Sequence, residues 1–474
     1  MAKHLIYILA GLLLIMSSAQ GADTLITVQS KGRYPDGSWK DYPTRILSGL
    51  SGYDQTRTDT PYSRYGGLLR SKHEATGFFY TRKIDGRWFF VDPDGYLFIK
   101  VGVAATRIHK GEPYETAFAR KFGSVKAWAD QTTGMFRGLG FNGTGAFSGD
   151  RDVQQADEPL VFSPVITMLR NYGETDYPPG RPVRWKDDVI PIFDPALRAH
   201  MEKQARKFIT PELVRNPNLL GYMSDNELGF YHAELKAYLV LKSDDPNYQG
   251  AWSWLRERKG IDVSIEDVTV QDEQAFMGYI AGLYYQMTVE IIKRIDPNHL
   301  VMGSRLHGAG KRIEAIIRAA AKHLDVVTIN YYNSWGPDLT DDWEQWMDKP
   351  FLITEWYVKG EDVAQADPSF TNLGGAGWIV PTQQDRGHFY EHFTLELLES
   401  PLCAGWHWYR YIDQIDQVDG DSVNKGMLTN SYENYQPLMD AMKRINIRVY
   451  DLIEFFDGTD LSSGSADVRV DQDH

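Results

Sequence analysis

From Tyr96 to about Phe456, short apolar runs alternate with longer segments whose apolar positions fall three and four apart. The first pattern suits strands buried on both faces, the second amphipathic helices. The runs are "YLFIKVGV", "FNGTGAF", "PLVFSPVITML", "NLLGYMS", "HLVMGS", "DVVTIN", "PFLITEW" and "CAGWHWY". Helical spacing occupies "SVKAWADQTTGMFRGLG", a stretch from about Gln271 to Ile295, "RIEAIIRAAAKHL" and "PTQQDRGHFYEHFTLELLES". It also fills "DPALRAHMEKQARKFIT", where Asp194 reads as N-cap and Pro195 as the first helical position. One long amphipathic helix over "NYQPLMDAMKRINIRVYDLIEFF" closes the series. Eight strands separated mostly by helices predict an α/β chain folded as a (β/α)8 TIM barrel. An open doubly wound sheet alternates in the same way. Its Gly-rich turn is missing here, because "GTGAFSG" has its glycines too close and no helix start behind them.

Residues 23–95 predict a short β-rich extension ahead of the barrel. Much of it is polar and rich in Gly, Pro, Ser and Thr, and it ends in runs broken at Asp85-Gly86 and Pro93-Asp94-Gly95, which are hairpin signals. The expected division is a leader over 1–22, the extension with its hairpin over 23–95, the barrel over 96–457 and an acidic polar tail over 458–474. The leader is read from Lys3 and His4, an apolar run from Leu5 to Met16, and small residues with the A-x-G pattern at Ala19–Gly21. That run is short for a membrane span. The expectation is an exported protein, periplasmic or extracellular, with no membrane anchor. Cys403 is the single cysteine, so no intrachain disulfide can form, and its strand-like setting suggests a packed core thiol.

Net charge of −14 argues against nucleic acid as a partner. The 13 Trp and 27 Tyr are numerous enough to supply flat faces for sugar rings. In a barrel of this kind, polar residues that end the strands line the active face. Strand four ends in Asp225-Asn226-Glu227, and strand five in Ser304-Arg305 with His307 beyond. Strand six ends in Asn330-Tyr331-Tyr332, strand seven in Glu355-Trp356, and strand eight carries Trp406 to Arg410. One Glu after an apolar run is usually an ordinary loop residue. Two, on strands four and seven, suit glycoside hydrolysis, which needs one protonated acid and one carboxylate. Arg305 or a tyrosine hydroxyl would keep Glu355 ionised, and a drier pocket would keep Glu227 protonated. A retaining enzyme requires these carboxyls about 5–5.5 Å apart. Trp356 and Trp408 are candidates for a sugar platform. For His307 and His407, hydrogen bonding to structure or sugar is the expectation, because no H-x-H or H-E-x-x-H spacing points to zinc. The acidic run from Asp413 to Ser422 lacks calcium-loop spacing and reads as a solvated loop. No metal and no cofactor are expected.

Asn226-Glu227 and Glu355 resemble the motifs of clan A retaining glycoside hydrolases. "WFFVDPDGYLFIKVGV", "LGFNGTGAFS", "LLGYMSDNEL", "HLVMGSRLHG", "GWHWYRYIDQ" and "NYQPLMDAMKRIN" resemble segments of the β-agarase-like enzymes of glycoside hydrolase family 50. The resemblance runs from Trp88 to Asn446. It implies Glu227 as acid/base, Glu355 as nucleophile and Asn226 as the residue binding the sugar 2-hydroxyl. It also implies Tyr331 or Tyr332 as the donor to the nucleophile, and Trp408 as the stacking residue. The implied substrate is a β-linked galactan of agarose type. The loop "YVKGEDVAQADPSFTNLGGAGW" departs from the family pattern, and substrate choice lives in such loops. The same chemistry on a β-glucan, mannan or other β-galactoside, or a non-catalytic carbohydrate-binding barrel, are the alternatives.

Overall fold

A computed structural model describes residues 22–58, 61–169, 172, 189–415 and 422–461. The leader, all but Ala22, lies outside the described residues, as do the tail beyond 461 and positions 416–421 of the acidic run. The fold is mixed α/β. Eight parallel strands form its centre: β1 (Lys100–Val103), β2 (Gly143–Thr144), β3 (Val165–Ile166), β4 (Gly221–Ser224), β5 (Leu300–Val301), β6 (Val327–Asn330), β7 (Phe351–Glu355) and β8 (Cys403–Trp408). One sheet has the order β6–β7–β8–β1–β2 and a second the order β5–β4–β3. Parallel bridges Gly143–Val161 and Leu306–Ile329 join chain segments of the two sheets at both edges.

The apolar runs therefore become strands, but shorter ones than their hydrophobicity suggests. The first run is also divided. Tyr96–Phe98 belongs to an antiparallel sheet with Leu68–Lys72, Arg87–Val91 and Tyr80–Ile84. At Ile99 the backbone N–H donates to the Tyr450 hydroxyl (3.1 Å) instead of a strand, and pairing passes to the parallel sheet at Lys100. The Asp85-Gly86 hairpin is present. Both residues have positive φ (49° and 90°), the geometry of a tight two-residue turn.

Helices flank the strands: α1 (Val125–Gly138), α2 (Leu197–Phe208), α3 (Val270–Ile295), α4 (Glu314–His323) and α5 (Gln383–Glu399). Thr269 and Asp272 form a reciprocal capping box on α3, which fixes its start. Helix α2 begins later than expected. Asp194 Oδ1 accepts the Ala196 N–H (2.9 Å), so it closes a turn ahead of the helix. The long closing helix is two helices, α6 (Gln436–Asn446) and α7 (Val449–Asp457). Asn446 accounts for the break. Its side chain accepts from Tyr390 Oη (2.7 Å) and donates to Leu139 O (3.0 Å), and Gly140 closes against its Cβ.

An antiparallel ribbon, Ile26–Ser30 with Lys40–Thr44, packs beside the segment after β7. Gly32 bridges Ile379, Lys31 pairs with Glu361 (2.9 Å) and Tyr42 stacks on Trp335 at 5.0 Å. Lys359 Nζ donates to Arg33 O (3.1 Å). Among the described residues no helix is long and apolar enough to cross a membrane. Cys403 is buried, and burial pushes its thiol up to about 12, in keeping with a packed, unreactive group.

Candidate active site

The C-terminal ends of β4, β5, β6 and β7 converge on two carboxyls. Glu227, just past β4, is 9% exposed, and Glu355, ending β7, is 7% exposed. Glu227 Oε1 accepts from Asn330 Nδ2 (2.7 Å). Burial, and next the nearby Glu355 charge, push the Glu227 carboxyl up to about 7. Glu355 has different company. Arg305 Nη2 pairs with its Oε1, and Tyr332 Oη donates to its Oε2 (2.9 Å). Arg305 also donates to Asn226 Oδ1 (2.6 Å), so one guanidinium links the ends of β4 and β7. A ring holds the pair in place: Thr354 donates to Asn330 Oδ1 (2.7 Å), and the Glu227 N–H donates to Ser304 O (2.9 Å).

The backbone around these groups is bent. Asp225 (φ 56°), Glu227 (φ 53°) and Arg305 (φ 58°) occupy the left-handed region, which disfavours residues with a Cβ. Asp225 holds the first bend in place. Its Oδ1 accepts the Leu169 N–H (3.0 Å), and its Oδ2 accepts Tyr284 Oη (2.7 Å) from α3. Both its oxygens are engaged within the protein, which gives it a supporting role.

The two adjacent tyrosines separate cleanly. Tyr332 reaches Glu355, whereas Tyr331 Oη bonds Asp338 and its ring takes Lys311 Nζ at 4.6 Å. Two neighbours of the pair, Thr354 and Lys311, were missed from sequence. Asn330 was read there as a polar end of strand six but was given no role. Lys311 is buried, donates to Tyr332 O (3.2 Å), and is pulled down to about 8 by burial first and by Arg312 second. Nothing in its local sequence marks it. Among the described residues no His, Cys, Asp and Glu cluster could hold a metal ion.

No family model matches the sequence. The crystal structure of BpGH50 superposes with a TM-score of 0.80 at 31% identity, covering 92% of this chain and 96% of that one. The chain belongs to glycoside hydrolase family 50. The structure of an agarase, AgWH50C, shares the family 50 fold at 22% identity, with a TM-score of 0.68, over 84% of this chain and 68% of that one. Beta-agarase B and beta-agarase A of Vibrio sp. (strain JT0107) are 24% and 26% identical over 82% and 74% of this chain. The chain spans 50% and 38% of the length of these two curated relatives.

The remaining expected residues of this family 50 chain are distributed unevenly. His307 is half-buried near the mouth, beside Tyr231 (6.4 Å), and feels the charges of Lys311 and Glu355. His407 is instead fully buried within the strand wall. Its ring fills the space left by Gly102 and Gly145, where an added Cβ would come within 2.7 and 2.5 Å of it. Trp356 and Trp408 form no exposed sugar platform. Both are fully buried: Trp356 stacks on Phe393 (4.3 Å) and meets Trp408 edge-on (5.2 Å). A platform needs a ring face open to the sugar, and these two rings pack instead against Phe389, Tyr390 and Phe393 of helix α5.

Proposed function

We propose that this chain is an exported retaining glycoside hydrolase that cleaves β-glycosidic bonds in a galactan of agarose type. The observation that carries the reading is the contrast between the two carboxyls. Glu227 is pushed up to about 7, so it keeps its proton near neutrality. Glu355 is held by an arginine and a tyrosine donor. In the first step Glu355 attacks the anomeric carbon and the glycosidic C–O bond breaks. Glu227 gives its proton to the departing oxygen, leaving a glycosyl ester on Glu355. Water then gives a proton to Glu227 and displaces the ester, restoring the Glu355 carboxylate. Asn226, fixed through its Oδ1 by Arg305, has an amide nitrogen to offer the sugar 2-hydroxyl.

The (β/α)8 reading over 96–457 is supported by the two parallel sheets and by the bridges Gly143–Val161 and Leu306–Ile329 at both edges. The β-rich extension and the acidic tail remain separate segments in this proposal. Export is supported by the charged, then apolar, then small-residue order of the first 22 residues. The choice of galactan follows the names of the curated relatives. Proton NMR of the first product released from agarose oligosaccharides tests the whole reading. The β-anomer should appear first; an α-anomer, or release by Glu355→Gln at the wild-type rate, defeats it. A panel of β-glucan, mannan and galactan then assigns the sugar.

A further inference from the structure

Beyond Glu355, the same end of the sheet carries a group of cations. Strand β8 lies between β7 and β1, so residues just past β8 and β1 share the mouth with Glu355. These are Arg410 and, on the other side, Arg107 and His109. A row of tyrosines leads to them. Tyr332, bonded to Glu355, packs on Tyr357 (5.5 Å), Tyr357 packs on Tyr409 (5.9 Å), and the Arg410 guanidinium lies 5.9 Å from the Tyr409 ring. Lys425 Nζ lies 5.6 Å from the Tyr357 ring.

Arg410 is the unusual member. It is 3% exposed, and a buried guanidinium is costly unless matched by acceptors or opposite charge. Other fully buried arginines here find a carboxylate or backbone acceptors, although Arg305 Nε is unpartnered as well. Arg305 pairs with Glu355, Arg87 pairs with Asp457 (2.5 Å), and Arg386 donates to two backbone carbonyls and Gln383. Among the described residues Arg410 meets only neutral side chains, His109 Nε2 (2.7 Å) and Gln414 Oε1 (3.2 Å), and its buried Nε has no partner. Asp413, close by in sequence, is taken up by Asn424, the Gly426 N–H and Tyr435. Arg107 is exposed, and among the described residues no carboxylate pairs with it or with Arg410. Burial, then Arg410 and Arg107, pull His109 down to about 3, so it stays neutral and adds no charge of its own. In a chain of net charge −14, this is a local positive field beside the mouth, with no carboxylate paired to it among the described residues.

We propose that Arg107 and Arg410 form a subsite for an anionic substituent, a sulfate ester or a uronate carboxylate, on the sugar next to the one attacked. A tetrahedral or planar oxyanion accepts two guanidinium donors well, and the packed tyrosine row links this group to Glu355. This inference rests on the hydrolase reading for its substrate but makes a separate demand, a preference for charge.

The test compares kcat/KM for three β-galactan tetrasaccharides: neutral, singly sulfated, and uronate-bearing. The wild type should favour one charged ligand over the neutral one by about tenfold, and the two charged arms tell sulfate from carboxylate. Arg410→Gln and Arg107→Ala should each bring that ratio down at least about fivefold, and about 0.5 M salt should do the same. Arg107→Ala, at an exposed position, covers the case in which Arg410→Gln misfolds. Calorimetric Kd values of the three ligands on Glu355→Gln read the preference without turnover. Failure of the wild type to cleave any of them therefore overturns the hydrolase reading alone. A wild-type ratio near one in Kd, or a ratio unmoved in both arginine variants, overturns this proposal.

Discussion

The two ends of the parallel strands follow opposite rules. At the end where Glu227 and Glu355 sit, Ala105, Phe147, Asp225, Glu227, Arg305 and Asn333 all take positive φ. Charges there face one another across short distances, and Arg410 lacks a carboxylate partner among the described residues. At the opposite end most described groups of the same kind are matched, Arg137 Nε being a buried exception. Arg87 is paired with Asp457 and donates to Ser400 O and Leu398 O. Asn142 accepts from the Val101 N–H and donates to Ile99 O, and Tyr450 Oη accepts the Ile99 N–H. A cavity of about 690 Å³ lies at that end too, between Tyr62, Arg137, Asn142 and Tyr450. Its two carboxylates, Asp157 and Glu158, are exposed and pair with Lys126 and Arg137, unlike the buried Glu227 and Glu355, so volume alone does not locate the chemistry. The lesson is that strain and mismatched charge mark the working end, while the opposite end supplies stability that offsets it.

Substitutions at each end should separate the two roles. Glu355→Gln should lower kcat/KM by at least about 10⁴ in steady-state assays, with the melting temperature not lowered. Arg87→Met leaves the buried Ser400 and Leu398 carbonyls without their donor and removes the partner of the exposed Asp457. It should cost about 3 kcal/mol in denaturant unfolding, while turnover per folded molecule is kept. Tyr332→Phe removes one donor from Glu355 and should lower kcat by about 10². A smaller effect concerns acidity. Glu227 is raised to about 7 from its ordinary 4.5, so its protonated form survives to near neutrality and the alkaline limb of kcat/KM should fall near pH 7. The same shift has a sign for stability. A raised carboxyl contributes fully below pH 4.5 and loses that contribution as pH climbs through 7. Glu227→Gln should therefore melt about 2 °C above the wild type at pH 8, with no gain at pH 4. An unchanged melting difference across that range would deny that Glu227 is a buried, strained acid.

The sequence was most legible where one physical rule acted alone. Apolar runs alternating with helical spacing marked all eight central strands, because burial on both faces leaves no room for polar alternation, whereas the short parallel pair Val358–Gly360 and Trp378–Val380 was read as a loop. The two Glu and Arg305 were legible because they end such runs abruptly. The aromatic residues were not. Trp356 and Trp408 sit beside the same strand ends, but which face of a strand they occupy depends on register and on helix α5 packing against them. A one-residue step moves a ring from mouth to core. His407 failed for the same reason, its slot being cut by Gly102 on β1 and Gly145 just past β2. Lys311 and the Arg107–Arg410 group needed the assembled mouth, since their partners lie far off in the chain. The closing helix was misjudged because Asn446 looks like an ordinary helical residue until Tyr390 and Leu139 claim its side chain.

The ribbon of residues 26–44 is bonded along the strap that leaves β7, through Gly32 with Ile379, Lys31 with Glu361, and Lys359 with Arg33 O. Chimaeras between family 50 relatives inherit a constraint from this. A crossover placed anywhere between about residue 44 and residue 358 parts two halves that were shaped together. Recombination aimed at new substrates should therefore move the strap and the amino-terminal ribbon as a single cassette, although more than three hundred positions separate them in the gene.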